Sequence, residues 1–215
     1  MRRTAADVAT QSIIYGALGF RASLEVTEHH RTRELCSQLL PWLGRLGLED
    51  RIMPYHRDIL EEPHGALKQE SRTEAFWRGE EAAFLGWTIQ LIEMPDLQGF
   101  IDPGLLVDRL KLLKPEAADI LSRAELRSSA EVEEFSTFCL LVRHLFQLVT
   151  FPEDDRDLLT SRFQRRLTNF GLGDALEQYA GIESEASSLV SRSPSLRGLY
   201  LVRAFACEWL FGVDE

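Results

Sequence analysis

The sequence has few cysteines, no long apolar run and a shortage of basic residues. It contains three cysteines in 215 residues, no CxxC pair, and no run near the ~20 apolar residues of a membrane helix. Lys and Arg number 24 against 34 Asp and Glu, which gives a net charge of −10. Because nucleic acids and anionic membranes are recognised through Lys and Arg, we expect neither as a partner.

The cysteines predict a reducing environment. They are odd in number, lie far apart and sit among apolar residues, as Cys36, Cys139 and Cys207. This pattern predicts buried free thiols, typical of a cytoplasmic protein. Arg2 and Arg3 precede an apolar stretch as in a signal peptide, but Asp7 interrupts it and no small-x-small cleavage site follows. We therefore expect a cytoplasmic location.

The motifs of common enzyme classes are also missing. There is no GxxxxGK[ST] loop, no GxSxG elbow and no HExxH pair. His29 and His30 are adjacent and would point to different helix faces, and no His, Cys or carboxylate group has the spacing of metal ligands. We expect no metal, no cofactor and no catalytic residue, so the sequence leans away from an enzyme.

Apolar residues recur at helical spacing along almost the whole chain. We predict an all-α fold with a single domain at 1–215, a compact bundle of roughly nine to eleven helices. No fixed-period repeat and no long linker divides the chain. The predicted helices are 5–25, 28–46 (kinked or split at Pro41), 54–61, 71–94, 102–113, a short one from 115, 128–150, one from 152, and 193–211.

Local sequence signals support several of these boundaries. Asp102 and Pro103 have the residue types of an N-cap and first helical position. Ser128 with Glu131 three residues later forms a capping box. The acidic run at 153–155 favours a helix N-terminus, where the helix dipole stabilises negative charge.

Charged residues inside apolar stripes are the strongest candidate site residues. Glu80 lies three residues after Trp77 and four before Phe84, and Arg203 and Arg143 occupy similar positions in their helices. A lone buried carboxylate is very costly, so Glu80 predicts a buried basic partner. We expect Arg203 as the first choice of partner for Glu80 and Arg143 as the second. The paired residues would form either an ionic lock between helices or a polar pocket.

The same stripes predict a single aromatic core. Its expected members are Phe76, Trp77, Phe84, Trp87, Phe146 and Trp209. The basic cluster Arg162, Arg165 and Arg166 lies at helical spacing beside acidic residues. We interpret that cluster as a solvated face, with an RNA patch as the alternative.

Several motifs resemble a bacterial family known as domain of unknown function 4272. Trp77-Arg78-x-Glu80, with Trp87 and Pro95 following, is similar to its central W-R-x-E…W…P pattern. Three further stretches resemble its other motifs: Trp42-Leu43-x-x-Leu46-Gly47-Leu48, Arg127-Ser128 and Arg203-x-x-Ala206-x-x-Trp209-Leu210. The similarity spans about 40–212.

The resemblance implies a compact helical fold with Glu80 and Arg203 as its polar core, and it implies no activity. We expect Arg78 and Arg143 to join these two residues in one buried polar cluster. Val202 and Glu208 stand where the family has Glu and Asn. Residues of about 151–193 are extra length relative to the family. We interpret them as a helical insertion.

The sequence leaves three functional hypotheses open. The first is a non-enzymatic module that binds a protein with a basic surface, such as a toxin neutralised by an immunity-type protein. Acidic groups at 61–62, 131–134 and 153–157 motivate it, because negative surface speeds association with a basic partner. The second is an enzyme or small-ligand binder built around Glu80 with Arg143 and Arg203. The third is a homo-oligomeric scaffold without chemistry.

Overall fold

The computed structural model describes residues 3–27, 30–174, 177 and 181–212. Within these ranges the chain forms ten α-helices and three short 3-10 helices, and no strand. This confirms the all-α prediction. The helices are α1 (Ala5–Val26), α2 (Thr32–Arg45), α3 (Pro54–Glu61), α4 (Gln69–Thr88), α5 (Pro103–Arg109), α6 (Ala117–Arg123), α7 (Ser129–Thr150), α8 (Arg156–Phe170), α9 (Ile182–Arg192) and α10 (Arg197–Leu210).

The described residues divide into two compact units. The first unit is Thr4–Leu126, and the second contains Arg3 and the described residues from Arg127 onward. Residues 124–128, which form no regular structure, lie between α6 and α7 at this boundary. The interpretation of 1–215 as a single domain stays a prediction.

The first unit is organised by the packing of α1 on α4. The two helices approach most closely at glycines, since a Cβ added to Gly19 would lie 2.5 Å from the Cα of Gly79. No side chain fits at that distance, so the two glycines allow the backbones to cross in contact. Helices α2, α3, α5 and α6 pack around α1.

Helix α4 ends earlier than the predicted range of 71–94. It stops at Thr88 because Gln90 adopts a left-handed conformation, with φ of 64°. The backbone N–H groups of Leu91 and Ile92 then donate to the carbonyl of Gly86, at 2.9 and 3.3 Å. This turn buries Ile92 against Gly86, so tertiary packing decides the end of the helix.

The starts of α5 and α7 follow the local signals, whereas the helices predicted from 152 and 193 begin at Arg156 and Arg197, each after a short 3-10 helix. The side chain of Asp102 accepts from the backbone N–H of Gly104, and Ser128 Oγ accepts from that of Glu131. Helix α3 has its predicted bounds. Helix α2 continues through Pro41 without a split; its predicted start at 28 lies outside the described residues. Helix α5 stops at Arg109 rather than 113 because the backbone turns left-handed just beyond it.

The second unit is built around α7. Helices α8, α9 and α10 each pack against it. Residues 151–193 therefore contain helices, and their interpretation as an insertion relative to a family stays a prediction. Helix α8 ends at Phe170, and Gly171 caps it in the left-handed conformation with φ of 75°.

The aromatic core prediction is wrong for Phe76, whose side chain is 37% exposed. Near its start α4 buries the small residues Ala75 and Gly79, because these allow the close approach to α1. Trp77 and Trp209 are half-buried, whereas the other three predicted members are buried: Phe84, Trp87 and Phe146. Phe146 and Trp209 belong to the second unit, so the six residues are divided between two units.

The three cysteines are buried and free, which confirms that prediction. Burial raises the pKa of Cys36 and Cys207, which keeps both thiols protonated and unreactive. Among the described residues, no helix combines the length and the apolar character needed to span a membrane.

Candidate functional site

Glu80 is buried, as predicted, with 1% of its surface exposed. The backbone N–H of Ile101 donates to Glu80 Oε1 at 2.7 Å. Ile101 lies just before α5, at the end of the irregular segment 89–102 that follows α4. The carboxylate therefore holds the end of this segment against α4 through a charge-assisted hydrogen bond.

The segment held by Glu80 completes an exposed aromatic patch, which we define as Phe76, Trp77 and Phe100. The ring centroids are 5.2 Å apart for Phe76 and Trp77, 5.6 Å for Phe76 and Phe100, and 5.9 Å for Trp77 and Phe100. Phe76 is 37% and Phe100 52% exposed. Because Phe100 precedes Ile101 directly, the hydrogen bond to Glu80 positions its ring on α4.

The segment of chain around Phe100 carries only negative charge. Residues 89–108 contain four acidic residues and no Lys, Arg or His. All four are exposed: Glu93, Asp96, Asp102 and Asp108. The segment that carries Phe100 thus combines aromatic surface with net negative charge.

Arg78 lies in a polar cluster between α1 and α4. Its guanidinium pairs with Glu74 at 2.8 Å and Glu81 at 3.1 Å, and it donates to the hydroxyl of Tyr15 at 3.1 Å. The guanidinium also lies 4.9 Å from the centroid of the Tyr15 ring. These contacts give Arg78 the role of fixing how the two helices dock.

The remaining predicted site residues belong to the second unit. Arg203 is 1% exposed, and its guanidinium lies 5.4 Å from the centroid of the Tyr200 ring. Arg143 is half-buried, and its Nη1 lies 2.6 Å from Glu208 Oε1. A pairing of Glu80 with Arg203 or Arg143 would join residues of different units, and it stays a prediction.

The basic cluster of α8 is partly solvated. Arg162 and Arg165 are exposed, as interpreted from the sequence. Arg166 is half-buried, and its Nε lies 3.1 Å from Glu208 Oε1. Glu208 thus faces two guanidiniums from two helices.

Sequence reasoning missed three buried or half-buried charges. Glu81 is 4% exposed, and Arg21 is fully buried in the apolar part of α1. Arg21 pairs with Glu25 and donates to the carbonyl of Glu62 at 2.9 Å. The stripe argument applied to Glu80 would have found Arg21. The same argument does not find Glu208, because this residue lies at the edge of the apolar stripe of α10.

No protein-family model, curated protein or solved structure matches the chain. The similarity to the domain of unknown function 4272 family therefore stays a prediction based on the motifs. The part of the chain that the structure describes contains no group of three His, Cys, Asp or Glu residues placed to hold a metal ion.

Proposed function

We propose that the chain is a non-enzymatic protein-binding module that docks a basic partner protein on the aromatic patch. The single observation that carries this proposal is the exposure of Phe76 and Phe100 beside half-buried Trp77, next to a segment at 89–108 whose charged residues are all acidic. Aromatic side chains are enriched among the residues that dominate binding energy at protein interfaces.

The anchoring of Phe100 supports this proposal on energetic grounds. Side chains that must be ordered on binding cost roughly 0.5–1.5 kcal/mol each. Phe100 already packs on Phe76 and Trp77, and the bond from Ile101 to Glu80 fixes its backbone. A partner would therefore meet an ordered surface.

The charge supports a basic partner. The chain carries a net charge of −10, and complementary charge raises association rates and excludes wrong partners. We propose, more narrowly, an immunity-type protein of a reducing cytoplasm that covers the basic, nucleic-acid-directed surface of a toxin.

The alternative is an enzyme or small-ligand binder built around Glu80. The observed hydrogen bond from Ile101 to Glu80 Oε1 favours a positioning role for this carboxylate over a catalytic one. We therefore place Glu80 beneath the binding surface.

Affinity purification from the native cell, followed by mass spectrometry, tests the proposal with three proteins. These are the wild type, Phe100→Ala, and Val149→Ala as a matched control. Val149 is 75% exposed and lies on α7 in the second unit. We expect a basic protein to be retained by the wild type and by Val149→Ala and lost with Phe100→Ala.

The affinity and the association rate are then measured with the purified partner. Removal of a hot-spot aromatic costs at least ~1.4 kcal/mol, so Phe100→Ala should weaken the affinity about tenfold or more. The association rate should also fall as salt is raised. An affinity of Phe100→Ala equal to that of the wild type would overturn the proposal. Sedimentation experiments showing that a second copy of this chain covers the aromatic patch would overturn it as well.

A further inference from the structure

Helices α7 and α8 enclose a cavity of about 170 Å³ in the second unit. Its polar lining consists of Arg143, His144 and Gln147 from α7 and Arg162 and Arg166 from α8. Three arginines thus line one small space in a protein whose net charge is −10. The arginines around the cavity are thus opposite in sign to the net charge of the whole chain.

Glu208 neutralises only part of this positive charge. Its Oε1 lies near Nη1 of Arg143 and Nε of Arg166. A guanidinium has five N–H donors, so these contacts leave most donors of both arginines available. Arg162 is exposed and adds a third guanidinium from the next turn of α8. Three positive groups against one carboxylate leave a net charge of about +2 around the cavity.

Two polar atoms of the cavity lining have no hydrogen-bond partner among the described residues. They are Nε of Arg143 and Nδ1 of His144. His144 is 6% exposed, and its ring stacks on that of Phe163 with 4.4 Å between centroids. Buried polar atoms are nearly always hydrogen-bonded, so a missing partner at this place points to a bound group that supplies acceptors.

We propose that this cavity binds a phosphate group, as free phosphate or as a small phosphate monoester. Phosphate carries about two negative charges at neutral pH and several acceptor oxygens, which match three guanidiniums and a histidine. Pockets for drug-sized ligands measure roughly 300–1,000 Å³, so 170 Å³ fits a small anion. The residues that line the cavity belong to the second unit, and those of the aromatic patch belong to the first.

Isothermal titration calorimetry at constant ionic strength tests this inference, with inorganic phosphate, glycerol 3-phosphate and acetate as probes. The proteins are the wild type, Arg162→Gln, and Arg165→Gln as the matched control. Arg165 is an exposed arginine of α8 that is not among the residues lining the cavity. Both substitutions remove the same charge from the same exposed helix, and circular dichroism confirms that each variant is folded.

We expect saturable binding of both phosphate probes and none of acetate at concentrations up to roughly 10 mM. A hydrogen bond to a charged group is worth roughly 1.5–3 kcal/mol, so Arg162→Gln should weaken the phosphate affinity about tenfold or more. Arg165→Gln should change it less than about twofold. Tighter binding of glycerol 3-phosphate than of inorganic phosphate would identify a monoester as the ligand.

Two results would overturn the inference. One is the absence of saturable phosphate binding to the wild type. The other is an equal loss of affinity in Arg162→Gln and Arg165→Gln, which would show general attraction to a basic helix face.

Discussion

Nη1 of Arg143 lies 2.6 Å from Oε1 of Glu208, and Nε of Arg166 lies 3.1 Å from the same oxygen. One carboxylate of α10 thus links α7 and α8. Burial lowers the pKa of Arg143, and the charge of Glu208 opposes that shift. The pair is therefore a partly desolvated contact whose loss leaves two guanidiniums close together.

Glu208→Ala should destabilise the second unit by roughly 1–3 kcal/mol, because it leaves two half-buried arginines without the carboxylate that they share. Urea denaturation followed by fluorescence measures the loss. Glu134→Ala is the control, since Glu134 is an exposed glutamate of α7 and its removal should leave the midpoint almost unchanged. Equal midpoints for the two variants would show that Glu208 does not stabilise the unit.

Gly19→Ala should destabilise the first unit by roughly 1–3 kcal/mol, because its Cβ would lie 2.5 Å from the Cα of Gly79. Gly44→Ala is the matched control. Gly44 is also helical, and an added Cβ would meet only the end of the Glu49 side chain at 3.4 Å. This control should be neutral or stabilising, since Ala is a better helix former than Gly. Thermal unfolding distinguishes the two, and a neutral Gly19→Ala would contradict the close crossing.

Trp87→Ala should cost about 3–5 kcal/mol, because Trp87 is 2% exposed and packs against Phe84. Phe76→Ala should cost much less, since Phe76 is 37% exposed. Chemical denaturation of both variants measures the contrast. A loss below about 1 kcal/mol for Trp87→Ala would show that its face of α4 is not part of the core.

His144 predicts a dependence of stability on pH. Burial lowers its pKa in the folded state below the unfolded value of about 6.5. The unfolded chain therefore takes up the proton first, so stability is complete above about pH 6.5 and falls as the pH drops below it. Arg143, Arg162 and Arg166 line the same cavity and stay charged over this range.

The measurement compares the wild type with His144→Phe by urea denaturation at about pH 7.5 and about pH 5.5. The wild type should lose more free energy of unfolding than the variant between these values. The other histidines are the same in both proteins, so the difference isolates His144. Equal losses would mean that His144 takes up its proton as readily in the folded state.

Glu80→Ala should loosen the end of the segment 89–102, because it removes the acceptor for the N–H of Ile101. Hydrogen exchange with mass spectrometry should show faster exchange in the peptide that contains Ile101. Glu80→Gln keeps a carbonyl oxygen at this position and should exchange at a rate between those of the wild type and Glu80→Ala. Unchanged exchange in Glu80→Ala would exclude the anchoring role.

The sequence predicts those features of the fold that depend on interactions between residues a few positions apart. The caps at Asp102 and Ser128 are local hydrogen bonds, so residue types at fixed spacing were enough to find them. The end of α4 depends on Ile92 packing against Gly86, which no local pattern encodes. The burial of Glu80 followed from periodicity, but its bond to Ile101 depends on the path of an irregular segment.

Glu80 recognises the backbone N–H of Ile101 and not its side chain. Any residue except proline presents the same N–H at position 101, so the side chain there can change while this hydrogen bond is kept. Substitutions at Phe100 would then alter which surface is offered without weakening the helices beneath it. The exposed surface at this place can therefore be changed by a substitution at a single loop position, while Glu80 continues to hold the end of the segment on α4.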